Sequence, residues 1–247
     1  MSTDWDFYFC QVDDHPGSIF VDLGIAKEAP VAGYSVMAYV RIYMQMPRED
    51  GLSSQSEFET LCALEDALGS LQSENAVLYV GRNTSSGCRD LYFYARSSEG
   101  WEERVGRVMR VFPTYEYACG TRNDPDWNSY FSFLYPSDED RERIQNRRTC
   151  DALKSKGDTL ETERLIEHWA YFPDLTSRAA FLKEVTKLGY TAAASIEPES
   201  PGDRYGVRLS CVGVPSTSNI DSLTLPLFRA ARNHGGEYDG WETQVVG

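Results

Sequence analysis

The chain of 247 residues has no apolar run approaching the roughly 18 residues that cross a bilayer. Its opening, MSTDWDF, is acidic where a signal peptide is basic and then apolar, so no membrane association is expected and the cytoplasm is the expected compartment. It also has no CxxC pair. Six cysteines stand far apart at 10, 62, 88, 119, 150 and 211, a spacing that suits neither a zinc site nor a disulfide framework and implies reduced, mostly buried thiols. Histidine is scarce, with three in the chain, and there is no nucleophile elbow, phosphate loop or HExxH pattern. No catalytic residue, metal ligand or cofactor is therefore assigned. Positive charge is also short: 24 Lys and Arg against 38 Asp and Glu leave a net charge of −14. That balance repels a polyphosphate backbone, which disfavours direct nucleic-acid binding and favours basic protein partners.

What is present is a folded composition with two similar halves. Residues 121–143, where Pro125 and Pro136 bracket an aromatic stretch before a highly charged run, separate them near Pro136, which gives domains at 1–136 and 137–247. The first half holds 20 acidic and 10 basic side chains, the second 18 and 14. In the first half YSVMAYVRIYMQM alternates as a strand, with Tyr34, Val36, Ala38, Val40, Ile42, Met44 and Met46 on one face. SEFETLCALEDALGSL follows as a helix with Phe58, Leu61, Cys62, Leu68 and Leu71 in one stripe and a capping box from Ser56 to Glu59. Strands AVLYVGR and RDLYFYAR, a helix striped by Trp101, Val105, Val108 and Phe112, and a strand TYEYACG complete a βαββαβ order. DWDFYFCQV and SIFVDL precede it as a hairpin.

The second half opens with a charged helix at about 138–156, whose mixed signs read as a solvated face. Its Arg141, Arg143, Arg147 and Arg148 form a minor basic spot. Strand RLIEHWAYF, helix SRAAFLKEVTKLG striped by Phe181, Val185 and Leu188, strands YTAAASIE and RYGVRLSCVGV, a helix near 220–234 and a last strand at EYDGWET repeat the βαββαβ order. Pro226 requires that helix to bend or to start near Thr224. The expected fold class is α+β: two ferredoxin-like sandwiches in tandem, each with helices on one face of an antiparallel sheet.

IEHWAYFP at 166–173, followed by HGGEYDGWETQV at 234–245, resembles the bacterial family called regulator of ribonuclease E activity B, or ribonuclease E inhibitor B. The first half, through LEDALGSL, VGRNTSSGCRD and LYFYAR, looks like a domain of unknown function found fused to it. The resemblance implies a non-enzymatic regulator that binds the arginine-rich, noncatalytic part of ribonuclease E and so alters RNA decay. The fusion departs from the single-domain regulator.

Period-two alternation then selects candidate surfaces. In RLIEHWAYF it sends Ile166, His168, Ala170 and Phe172 inward and Glu167, Trp169 and Tyr171 outward. Arg204, Arg208 and Ser210 leave the next strand on the same helix-free side. The last strand offers Tyr238, Asp239, Trp241 and Glu242; strict alternation puts Tyr238 and Glu242 outward and Trp241 inward. Asp239-Gly240 is expected to make a bulge, which would bring Tyr238 and Trp241 to one side. Tyr, Trp and Arg are the residues that binding surfaces concentrate, so Glu167, Trp169, Tyr171, Arg204, Arg208, Tyr238, Asp239, Trp241 and Glu242 form the candidate partner-binding set. Tyr39, Arg41, Tyr43, Tyr92, Tyr94 and Arg96 form a secondary surface in the first half. Two other readings stay open: an enzyme or small-ligand binder with its site between the domains, and an RNA binder using the tyrosine-rich sheets.

Overall fold

In the computed structural model, which describes residues 2–74, 77–200 and 202–246, the protein is α+β and divides into two compact units, Met1–Pro136 and Ser137–Gly247. In the first unit, strands β1 (Trp5–Val12), β2 (His15–Asp22) and β3 (Val36–Tyr43) precede helix α1 (Phe58–Gly69). Then come β4 (Val77–Ser85), β5 (Cys88–Ala95), helix α2 (Trp101–Met109) and β6 (Tyr117–Asn123). All six strands pair antiparallel in the order β1-β2-β4-β5-β3-β6. Ala76, expected to open β4, lies outside the described residues.

One face of this sheet is apolar because Ala38, Val40, Ile42, Leu91, Phe93 and Ala95 recur at period two. It packs on Leu61, Leu64 and Leu68 of α1 and Trp101, Val105 and Met109 of α2, all buried. Phe58 is 44% exposed rather than part of the stripe, and Met46 lies exposed beyond the end of β3. The expected capping box is absent: α1 has Glu57 at its N-cap with no side-chain capping bond. The Glu57 carboxylate instead accepts from the backbone N–H groups of Gln45 and Met46, at 2.8 Å each, satisfying amides that β3 leaves behind as it ends.

The second unit comprises α3 (Asp138–Ser155), β7 (Arg164–Phe172), α4 (Leu175–Lys187), β8 (Thr191–Ile196), β9 (Tyr205–Gly213), α5 (Ile220–Asn233) and β10 (Glu237–Thr243). Its antiparallel sheet runs β10-β7-β9-β8, so its first and last strands adjoin. Ser137 and Asp174 cap α3 and α4 by accepting from the N–H groups of Asp140 and Ser177. α5 runs from Ile220 with Pro226 inside it. Leu188, expected inward, lies past the end of α4 and is exposed, while Phe181 and Val185 are fully buried. α3 is less solvated than its charge suggests. Ile144, Asn146, Cys150 and Leu153 are buried, and its acids tie it to α5: Glu139 accepts from Arg229 at 2.6 and 2.9 Å, and Asp138 pairs with Arg232.

Candidate functional site

The second unit's sheet is covered by helices on one side, and the opposite face carries most of the sequence-derived candidates. Across the strands the register aligns Glu242 with Glu167 and Ser210, Gly240 with Trp169 and Arg208, and Glu237 with Tyr171 and Gly206. Because these residues alternate with buried Ile166, His168, Ala170, Val207 and Leu209, their side chains share the helix-free face. Trp169 and Tyr171 are half-buried, and Tyr171 lies over Gly206, where an added Cβ would come within 2.8 Å of its ring. Arg208 meets Glu167 at 3.3 Å and Arg204 meets Glu237 at 2.5 Å. Glu242 and Asp239 are exposed and have no ionic partner among the described residues. The face thus offers two half-buried aromatic rings with two acids, Glu242 and Asp239, unpaired among the described residues.

Two members of the expected set stand elsewhere. The register of β10 against β7 slips between Tyr238 and Gly240, the bulge expected at Asp239-Gly240. One extra residue in β10 turns Tyr238 inward along with Trp241, so both are buried among the helices rather than displayed. Gly240 takes φ +111°, a conformation that favours glycine. The inward pair serves a polar network instead. Tyr238 and His168 share a hydrogen bond of 2.8 Å between hydroxyl and Nδ1. The Trp241 indole donates to Asn146 Oδ1 at 2.8 Å, and the Asn146 amide donates to Asp221 at 2.8 Å and to Thr224 at 2.7 Å. Burial alone pushes His168 down to about 4, so it is a neutral structural imidazole at physiological pH.

Glu142, on α3, escaped sequence reasoning because it sits within a run of charges. Desolvation, with a smaller contribution from Asp221, pushes its carboxyl up to about 7, and its Oε1 is buried without a hydrogen-bond partner. It lines a hollow of about 560 Å³ with Tyr238, Phe228, Arg204 and Glu237.

In the first unit the helix-free face is partly occupied. Asp124 and the π-helical turn Tyr130–Leu134, which the sequence presented as interdomain punctuation, fold back over it, with Trp127, Tyr130 and Leu134 fully buried. Tyr94 is therefore not displayed. It stacks on Trp127 with centroids 3.8 Å apart, and its hydroxyl donates to Asp124 at 2.6 Å. Arg41 is held by Asp90 in a two-point pair, 2.7 Å at each contact, which raises its pKa further. Tyr39 and Tyr92 are half-buried and directly paired across β3 and β5, whereas Tyr43 is 43% exposed. Arg96, at the end of β5, lies over the Tyr34 ring at 4.5 Å. The spacing of Trp127, Tyr130 and Leu134 at three and four residues was the available signal that this segment packs.

These two helix-backed antiparallel sheets, with their helix-free faces differently furnished, define a tandem α+β protein. The chain belongs to the family of unknown function DUF695, matched over residues 3–135, and carries a regulator of ribonuclease activity B domain over residues 143–243. No curated protein matches it. Among solved structures it is similar to an unknown protein from Galdieria sulphuraria, at 11% identity and TM-score 0.24, covering 85% of this chain and 99% of that one. It is also similar to a "putative glycine cleavage system transcriptional repressor", at 8% identity and TM-score 0.27, covering 85% and 98%. Scores this low assign the fold to neither. No helix among the described residues is long and apolar enough to cross a membrane.

Proposed function

We propose that the chain is a non-enzymatic regulator of RNA decay whose second unit binds a basic, arginine-rich segment of ribonuclease E. The observation that carries this is the match of residues 143–243 to a family of ribonuclease regulators. The geometry supports a binding role. Trp169 and Tyr171 present aromatic surface for guanidinium groups, and Glu242 and Asp239 supply carboxylates with no cation paired to them among the described residues. The acids steer the basic segment and the aromatics hold it. Both units are read as ferredoxin-like sandwiches, a reading supported by their strand orders, in which the first and last strands of each βαββαβ set adjoin.

The test is binding of the purified full chain to the noncatalytic region of ribonuclease E, with Trp169→Ala and Glu242→Ala as variants. Each substitution is expected to weaken binding by about 1–2 kcal/mol while leaving the folded state intact. Unchanged affinity in the double variant would remove this face from the mechanism.

A further inference from the structure

The first unit contains a second feature that the ribonuclease-regulator reading leaves unused. On the helix-free side of its sheet, beside the folded-back segment, lies a hollow of about 700 Å³, within the range of small-molecule sites. Its floor is polar and only partly satisfied. Asn83 on β4 is buried, 3% exposed; its amide donates to Ser85 Oγ at 2.9 Å, while its Oδ1 has no partner. A buried amide oxygen with no donor costs about 1–3 kcal/mol, a cost that a ligand group bringing a donor would remove. At the other end Arg122 on β6 is exposed. It donates to Ser129 Oγ at 2.6 Å and has no carboxylate within ion-pair distance among the described residues.

Between these ends stand the paired Tyr39 and Tyr92, with Phe133 forming a wall 5.7 Å from the Tyr92 ring. Arg41 is not a second free cation, because Asp90 neutralises it. The ligand is therefore required to carry one anionic end for Arg122, a planar middle or end for the aromatic rings, and a hydrogen-bond donor for Asn83. Length follows from the sheet. Asn83 and Arg122 are three strand spacings, about 14 Å, apart across the sheet and four residues, about 13 Å, apart along it, so their Cα atoms lie roughly 20 Å apart and the long Arg122 side chain spans part of that gap. An amino acid is too short for that span. A polynucleotide is opposed by the 20 acidic against 10 basic side chains of residues 1–136.

We propose that this hollow in the first unit is a binding site for a nucleoside 5′-monophosphate, with the phosphate at Arg122, the base against the tyrosine pair and an exocyclic amine donating to Asn83 Oδ1. The site lies wholly within the first unit and does not depend on the partner of the second.

Isothermal titration of the full chain with adenosine 5′-monophosphate tests it. Saturable binding is expected, with adenosine and inorganic phosphate each at least about tenfold weaker, since each lacks one end of the ligand. Arg122→Gln, at an exposed position, is expected to weaken the monophosphate about tenfold without moving the melting transition. Purine riboside 5′-monophosphate, which lacks the amine, probes Asn83 without altering a buried residue and is expected to bind about tenfold more weakly. Absence of saturable binding, or binding that Arg122→Gln leaves unchanged, would overturn the site. Equal binding of the amine-free analogue would overturn the proposed contact between an exocyclic amine and Asn83 Oδ1.

Discussion

The four βαββαβ strands of each sheet share an order, but the two helix-free faces are treated in opposite ways. In the first unit that face is built over: Trp127, Tyr130 and Leu134 bury themselves on it, Asp124 caps Tyr94, and Asp90 fixes Arg41. What is left is a concave, half-lined recess. In the second unit Trp169 and Tyr171 are half-buried on the face opposite the helices; of the acids beside them, Glu167 and Glu237 pair with Arg208 and Arg204, while Glu242 and Asp239 have no ionic partner among the described residues. A roofed face suits a small ligand held in a hollow; an open one suits an extended chain laid across it. The difference between the two faces comes from the twelve residues 124–135, which fold back over the first sheet.

The largest expected effect breaks the roof. Trp127→Ala removes a fully buried indole, its stack on Tyr94 and its 2.8 Å bond to the Tyr34 carbonyl, and is expected to cost about 3–5 kcal/mol in denaturant unfolding. Trp169→Ala, on the open face, is expected to cost much less in stability and to show itself in binding. Equal losses from the two would erase the distinction between roofed and open faces.

Next comes the buried network behind the open face. Folding holds His168 near 4, below the ordinary value of about 6.5, so the unfolded chain takes up a proton that the folded chain resists. The resulting loss begins as pH falls below about 6.5 and is complete near 4, on the order of 3 kcal/mol. In His168→Gln that loss disappears, so the stability gap between variant and parent is expected to narrow by that amount between pH 7 and pH 4, read by urea unfolding at each pH. A constant gap would contradict a buried neutral imidazole.

Glu142 has the opposite sign. Its carboxyl is held up at about 7 against a usual value near 4.5, so ionisation penalises the folded state progressively from about pH 4.5 and fully above about 7. Glu142→Gln is expected to stabilise the second unit at pH 8, by about 2 kcal/mol after allowing for solvent screening, and to change little at pH 4.5. Trp241→Phe keeps the ring but strips the donor from Asn146 Oδ1, with an expected cost of about 1–2 kcal/mol by the same measurement. The smallest effect is at the surface: Arg204→Ala breaks the exposed pair with Glu237 and is expected to cost under about 1 kcal/mol, diminishing further with salt.

Much of the architecture was legible because burial imposes period two on strands and a three-to-four spacing on helices. β3, β5, β7 and β9 carry those patterns openly, and the bulge at Asp239-Gly240 was foreseeable from its turn chemistry. Its consequence for Tyr238 was not fixed by alternation, since one inserted residue inverts every assignment on one side of it. The capping box expected from Ser56 to Glu59 misled because the helix takes Glu57 as its N-cap, and that carboxylate serves amides twelve and eleven residues upstream instead of the helix terminus. The 124–135 segment misled because Pro125 and its polar residues punctuate the sequence, while its buried aromatics pack on a distant strand. The candidate face was legible in Glu167, Trp169, Tyr171, Arg204, Arg208 and Glu242. Asn83, Arg122 and Glu142 were not, because their importance lies in missing partners, and a sequence records side chains without recording what they lack.

The central claim is that the open face of the second unit, with its aromatics and the acids Glu242 and Asp239, receives a basic segment of ribonuclease E. The direct measurement is titration of that noncatalytic region into the full chain and into a Trp169→Ala, Glu242→Ala double variant, at low and at physiological salt. The expected result is saturable binding that weakens with salt and falls by about 2–4 kcal/mol in the double variant, with unfolding behaviour near that of the parent. Affinity equal in variant and parent, or no binding by the parent, would contradict the account.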